Sequence, residues 1–420
     1  MSVISRPSGR RQAGLLAIIL LSACTAPLFR IGGVTFTGDR LLGLAAVMAV
    51  AAIALRGGLR WTPAHSALAL FAGIQMLTSI LAVSAWPQGP KFASVYILGF
   101  ACFALTAACA GGAAGARQGA RLWITVGAVL GVVGGIIGVL ANLWRSPIWG
   151  SDAAETLVAT SRRDIFAAMV TFQEWNLYSS FLVVAFALAL WSWRSEVGGY
   201  LRRWAGMLSV GGIVQGLVFG LTRAAWVDMA ALAVFWLWAR RPPWRRVATL
   251  VLLVAFGHLV QTFVIGASLL YLRMLRPVLT GRDHNMAVRF AINSRTIESW
   301  RERLILGKGA GSIKNVEVRP FNGAPLLGVW NGNIVLFVLH DSGLLGLAAF
   351  VALLAVVARA GQRALRRGPD DATRSVLVPL LAAGVALLFA YQFTHALWLM
   401  YPYVYLGLLT ASTESGAPAC

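Results

Sequence analysis

The chain has 420 residues, of which 58% are hydrophobic and only 12% charged, and its mean hydropathy is +0.73. A soluble domain carries about 25% charged residues, so too little polar surface is left here to cover a water-soluble globule, and the bilayer is the expected solvent. The net charge of +21 does not point to nucleic acid: the 36 basic residues, all Arg except Lys91, Lys308 and Lys314, cluster between apolar segments, and no RNA- or DNA-binding motif accompanies them.

A transmembrane helix needs about 20 mostly apolar residues. In chain order such segments fall at 14–33, 41–55, 66–85, 92–110, 122–144, 174–193, 204–222, 224–239, 247–271, 333–358, 375–395 and 397–412. The expected fold class is therefore all-α, a polytopic membrane protein of about 12 transmembrane helices, with 1–420 forming a single membrane domain. The first segment follows Arg6, Arg10 and Arg11 and imitates a signal peptide, but the charge pattern requires it as an uncleaved span. The pair 204–222 and 224–239 turns around Thr222 and Arg223.

Orientation follows from the arginines. With the N-terminus in the cytoplasm, the inside segments hold Arg6/Arg10/Arg11, Arg56/Arg60, Arg117/Arg121, Arg194/Arg202/Arg203, Arg240/Arg241/Arg245/Arg246 and Arg359/Arg363/Arg366/Arg367/Arg374. The short outside loops lack such clusters: 86–91 has only Lys91, and 396 has none. The even span count and the alternation agree, which places both termini in the cytoplasm. Cys24, Cys102 and Cys109 lie in apolar stretches and Cys420 is terminal, without metal-ligand spacing, so neither a metal site nor a structural disulfide is expected.

Two outer regions are longer. The first, 145–173, holds Asp152, Glu155, Arg162, Arg163, Asp164 and an amphipathic run. The second, 272–332, is the large periplasmic or extracellular loop, with ten basic residues (Arg273, Arg276, Arg282, Arg289, Arg295, Arg301, Arg303, Lys308, Lys314, Arg319) and four acidic ones. Loops of this length translocate whatever their charge; equally, a basic outer loop suits an anionic ligand, and charge alone leaves both readings open. Within it Ala287, Phe290, Ala291, Ile297, Trp300 and Leu304 recur at near-helical spacing, which predicts one or two amphipathic helices on the membrane surface. Gly307, Gly309 and Gly311 follow as a glycine turn, without the residue order of a phosphate loop.

Charged side chains in or at the rim of a span are site candidates, because hydrocarbon penalises them by several kcal/mol. Arg223 stands at an outer turn, where it suits either bidentate contact with phosphate oxygens or snorkelling to water beside Trp226. Glu174, with Asn176 nearby, opens a span and suits a base, a partner of an arginine, or an acid complementing the helix dipole. His340 and Asp341 lie about two turns in from the outer end of a span, and adjacent helical residues point about 100° apart, so one can line a cavity while the other braces a neighbour. Asp228 suits a helix–helix hydrogen bond or ion pair, and His258 and His395 suit packing.

The order of these features resembles the bacterial O-antigen ligase and O-antigen polymerase superfamily, membrane glycosyltransferases of the GT-C type. Thr222-Arg223-Ala224-Ala225-Trp226 stands where that family has Ser/Thr-Arg-Gly-x-Trp, and a large outer loop with Arg295, Trp300 and the glycine turn follows. Asn333 then opens a span that runs into Asp341-x-Gly343-Leu344-Leu345-Gly346, and Glu174-Trp175-Asn176 is similar to the family's Glu-Pro-Asn. The resemblance covers roughly 165–358. One position departs from it: the family's loop-end His falls on Gly332, and His340 stands seven residues beyond Asn333.

The resemblance implies a bacterial inner-membrane transferase that uses a polyprenyl-pyrophosphate-linked glycan donor at the outer face, without a cofactor. The product is either a lengthened glycan (polymerase) or a glycan joined to a lipid or other acceptor (ligase). It implies Arg223 and Arg295 as donor pyrophosphate ligands, Glu174, His340 or Asp341 as the base for the acceptor hydroxyl, and Asn176 and Asn333 as supporting residues. The alternative from another class is a transporter or flippase of polysaccharide or lipid-linked oligosaccharide, which would place its charges near the midplane.

Overall fold

The computed structural model describes residues 9–24, 27–31, 34–82, 88–154, 165–172, 174–193, 200–267, 284–319, 325, 328–368 and 371–414. Arg273, Arg276 and Arg282 of the large outer loop, and Glu155, Arg162, Arg163 and Asp164 of the shorter one, lie outside the described residues. The helices are α1 (Gly9–Ala23), α2 (Gly38–Leu55), α3 (Pro63–Leu81), α4 (Gln88–Ala110), α5 (Ala113–Trp144), α6 (Trp175–Ser192), α7 (Tyr200–Phe219), α8 (Arg223–Arg240), α9 (Trp244–Ile265), α10 (His284–Arg301), α11 (Ile334–Arg366), α12 (Asp371–Ala390) and α13 (Tyr401–Thr413). A helix falls in each predicted apolar segment, and α10 lies in the large outer loop.

Among the described residues, 8 of these helices are long and apolar enough to cross a membrane. The others are α1, α7, α8, α10 and α13. With 13 residues, α13 extends about 20 Å, short of the roughly 30 Å hydrocarbon core. Burial sorts the helices by neighbourhood. The apolar window of α6 is 83% buried, so α6 is the centre of the bundle and is apolar all round, whereas that of α9 is 22% buried and turns its apolar side chains outward. Helices α5 and α7 pack backbone to backbone through glycines: a Cβ on Gly131 would lie 2.2 Å from the carbonyl oxygen of Gly212. Small residues at such a crossing permit the close van der Waals contact that holds helices together in lipid.

Two short antiparallel hairpins interrupt the helical architecture. The first, β1 (Pro27–Ile31) with β2 (Val34–Thr37), occupies the end of the predicted span 14–33. The helix stops at Ala23, and Pro27, without an amide hydrogen, cannot continue it. The second, β3 (Ser151–Ala154) with β4 (Ile165–Ala168), packs against the end of α5. Asn142 of α5 anchors it from both sides of one backbone position, donating to the Phe166 carbonyl (2.8 Å) and accepting from the Phe166 amide (3.0 Å).

The outer loop is built into the bundle. Its glycine turn enters a break in α11 at Gly343, whose φ of 64° and ψ of −162° are not helical. The amides of Lys308 and Gly309 donate to the carbonyls of His340 (2.7 Å) and Asp341 (2.9 Å), and the amides of Leu344 and Leu345 donate to those of Leu304 and Ile305. The broken helix thus recovers its lost backbone hydrogen bonds from the loop, as backbone at membrane depth must. A Cβ on Gly343 would lie 2.2 Å from the Ile305 oxygen. Gly343→Ala should therefore cost about 2–4 kcal/mol and lower the unfolding temperature in detergent by several degrees. Gly73→Ala, where no atom lies within 4 Å, should not lower it. Equal unfolding temperatures for the two variants would refute the docked break.

Helix α10 packs on α11 through Ile292, Thr296 and Ser299, all buried. The apolar stripe expected within α10 is divided, with Phe290 74% exposed and Ala291, Ile297 and Trp300 half-buried. Periodicity identifies such a stripe but not the medium it meets. Asp228 of α8 is buried and its Oδ2 has no hydrogen-bond partner among the described residues, so the helix–helix bond expected of it is not made by that atom.

Candidate functional site

At the end of the bundle that the arginine pattern assigns to the outer face, a cavity of about 240 Å³ opens between the start of α6, helix α10, the start of α11 and the turn after α12. Glu174, Arg289, Asn293, Trp330, Asn333 and Gln392 are in its wall, with Gly332 and Phe393.

Glu174 is the residue before α6, with extended backbone (φ −154°, ψ 142°), and its carboxylate makes no capping bond to the helix. It accepts instead from Asn176 Nδ2 at 2.5 Å. Burial pushes the Glu174 carboxyl up from its ordinary range, against the opposing pull of the Asn176 hydrogen bond and the Arg289 charge. A carboxylate so placed is a better proton acceptor than one in water. Asn333 caps α11: its Oδ1 accepts from the amides of Val335 and Leu336, each at 3.0 Å, and its Nδ2 donates to Gln392 Oε1 at 3.0 Å. That leaves a fixed row of amide groups along one wall.

Arg289 is the cation of this cavity. It reaches the wall from the first half of α10, donates through Nη1 to the Phe393 carbonyl, and lies 5.9 Å from the Phe393 ring centroid. Sequence reasoning counted Arg289 only as one basic residue among ten; what distinguishes it is that it lies one turn before Ile292 on the buried face of α10. Gly332, which stands where the resembling family has a histidine, is held by the same carbonyl. A Cβ there would lie 2.0 Å from the Phe393 oxygen and 3.0 Å from Arg289 Nη1. No side chain fits at 332 while the 390–394 turn is in place, so a histidine cannot act from that position in this chain. Trp330 completes the wall and also carries Lys314, whose Nζ lies 4.1 Å from the Trp330 ring centroid and 5.2 Å from that of Phe92. Burial and the neighbouring Lys91 hold the Lys314 ammonium below its ordinary value.

The other expected site residues lie elsewhere. Arg295 is two turns further along α10, half-exposed, and paired with Glu298 at 2.8 Å. Arg223 is the first residue of α8 and half-buried, and it is not in the cavity wall. Its turn is fixed by Ser179 Oγ donating to Thr222 Oγ1 at 3.1 Å and by Trp226 Nε1 donating to the Leu217 carbonyl. His340 and Asp341 are both fully buried beside the helix break. His340 Nε2 contacts Ser299 Oγ at 3.2 Å, His340 Nδ1 contacts Asp341 Oδ1 at 3.3 Å, and Asp341 Oδ2 accepts from the Gly311 amide at 3.1 Å. Both side chains brace the outer loop. Both residues precede the break at Gly343 and lie on helical backbone, so Asp341 reaches the inserted glycine turn while His340 reaches Ser299 of α10.

The structure therefore brings together Glu174, Asn176 and Asn333 with Arg289, and does not bring Arg223, Arg295, His340 or Asp341 to the same wall. Among the described residues, no group of three His, Cys, Asp or Glu side chains is placed to hold a metal ion. The cavity offers a proton acceptor, a fixed cation, carboxamides that both donate and accept, and aromatic faces. That set suits a polyhydroxyl ligand carrying negative charge. The comparison with protein-family models gives no match for this chain, and neither does the comparison with curated proteins.

Proposed function

We propose that the chain is a membrane glycosyltransferase that uses a polyprenyl-pyrophosphate-linked glycan as donor at the outer face, for polymerisation or ligation of cell-surface polysaccharide. The observation that carries this reading is the half-buried Glu174 carboxyl facing the Arg289 charge across one cavity, at the seam where the outer loop meets the bundle. A lipid-linked donor presents its pyrophosphate at that level, with the glycan outside and the polyprenyl chain in the bilayer.

In this reading the acceptor hydroxyl oxygen attacks the anomeric carbon, and the bond from that carbon to the pyrophosphate oxygen breaks. The hydroxyl proton passes to Glu174, and the pyrophosphate leaves on its lipid with its new charge facing Arg289. Asn293, Asn333 and Gln392 orient sugar hydroxyls, and Trp330 offers a ring face to a pyranose.

Purified protein supplied with lipid-linked glycan from its own host should release polyprenyl pyrophosphate in proportion to glycan transferred. In the host, deletion should leave lipid-linked single units if the protein polymerises, or long chains still on their carrier if it ligates. A transporter would move the glycan and leave it on its carrier. Translocation without release of the carrier pyrophosphate would overturn the transferase reading.

A further inference from the structure

The opposite end of the bundle carries a second and larger cavity, of about 560 Å³, between α3, α11 and α13. Its wall holds Arg60, from the turn before α3, and Arg363 and Arg367, from the last turn of α11, against one carboxylate, Glu414. Among the described residues none of these three arginines is in an ion pair. Glu414 feels the charge of Arg60 but its carboxyl is held up by burial. Arg363 Nε donates only to the Arg359 carbonyl, at 3.3 Å. Three like charges around one hollow repel each other unless an anion sits among them.

The surroundings indicate the kind of ligand. Val356 and Ala360 form an apolar side toward the bilayer, while Trp61, 56% exposed and tied through Nε1 to Ser66 Oγ at 2.7 Å, sits at the rim as interfacial tryptophans do. The volume falls within the roughly 300–1,000 Å³ of ordinary ligand sites, which is roomy for an inorganic ion.

We infer that this cavity, at the face the arginine pattern assigns to the cytoplasm, binds a phosphate-bearing anion, with an anionic phospholipid headgroup of the adjacent leaflet as its source. The guanidinium groups of Arg60, Arg363 and Arg367 hold the phosphate oxygens. Glu414 sets a limit on charge at the rim. The inference does not rest on the transferase reading, because the two cavities are at opposite ends of the bundle.

The test uses the full chain in nanodiscs of phosphatidylcholine with increasing phosphatidylglycerol, reading retained lipid with a spin-labelled phosphatidylglycerol. Arg363→Gln with Arg367→Gln should weaken retention about tenfold or more. Arg117→Gln with Arg121→Gln removes the same charge from the same face outside the cavity and should change retention less than about twofold. Inorganic pyrophosphate, added in neutral lipid to the native chain and to the Arg363→Gln/Arg367→Gln variant, separates the sources, because only binding lost in that variant belongs to this cavity rather than to the one at Arg289. If it binds by calorimetry and the labelled lipid does not, the phosphate chemistry stands and the lipid source is wrong. Retention that falls equally in both double variants, or binding of neither probe, would overturn the site.

Discussion

Arg289→Ala should reduce glycan transfer about 100- to 1,000-fold, the range found when a fixed donor to a developing anion is removed, while Arg295→Ala leaves it within about twofold. The contrast rests on position, since the two arginines share one helix and one charge. Arg289 is half-buried in the cavity wall and pinned by the Phe393 carbonyl, whereas Arg295 is exposed and spends its charge on Glu298. Exposed ion pairs of that kind contribute little. Arg289→Lys keeps the charge but cannot both hold the Phe393 carbonyl and present a second planar donor, so most of the loss should remain. Transfer assays on the three variants decide it. A larger loss in Arg295→Ala than in Arg289→Ala would remove Arg289 from the site.

Glu174→Gln should cost about 100- to 10,000-fold in transfer, as expected for a lost general base. It should also abolish the acidic limb of the pH profile. In the native chain that limb should lie above the ordinary glutamate value of about 4.3, because burial raises the folded carboxyl and the base acts only when ionised. Stability gives an independent check. A carboxyl raised in the folded state contributes stability that is fully present below the unfolded value and lost as pH rises through the folded value. At neutral pH the ionised Glu174 is therefore a net burden, and the neutral Gln variant should unfold no earlier than the native chain. Lost transfer with undiminished stability marks a functional residue. An early-unfolding Glu174→Gln would make Glu174 a scaffold residue. His340→Ala serves as the opposite case: it removes a brace between α10, α11 and the glycine turn, so its first effect should be on unfolding temperature.

Much of the helical layout was legible from hydropathy, because a bilayer demands long apolar runs and each run here is bounded by arginine or by a turn. The hairpins were not. Four-residue strands such as β3 and β4 are held by one asparagine on α5 and by their own register, and neither leaves a periodic trace. Glu174 and Asn333, which share one cavity wall, were legible as candidates because a polar side chain at the end of an apolar run is conspicuous. Arg289 was not, since ten basic residues in one loop look alike until the helix that carries one of them is docked.

Length and apolar fraction by themselves determined a helical membrane protein, because those properties fix which solvent the chain can tolerate. Which polar groups meet was decided only by tertiary structure. The break at Gly343 exposes backbone groups that residues of the Leu304–Gly309 stretch satisfy, and that docking buries His340 and Asp341. The same docking turns Arg289 toward the cavity wall and leaves Arg295 exposed. The close approach of the Phe393 carbonyl to Gly332 then leaves no room for a side chain at that position. Such contacts join residues up to about a hundred positions apart, as Arg289 and Phe393 are. A local pattern cannot encode them, because their energy exists only when the separated segments are packed together.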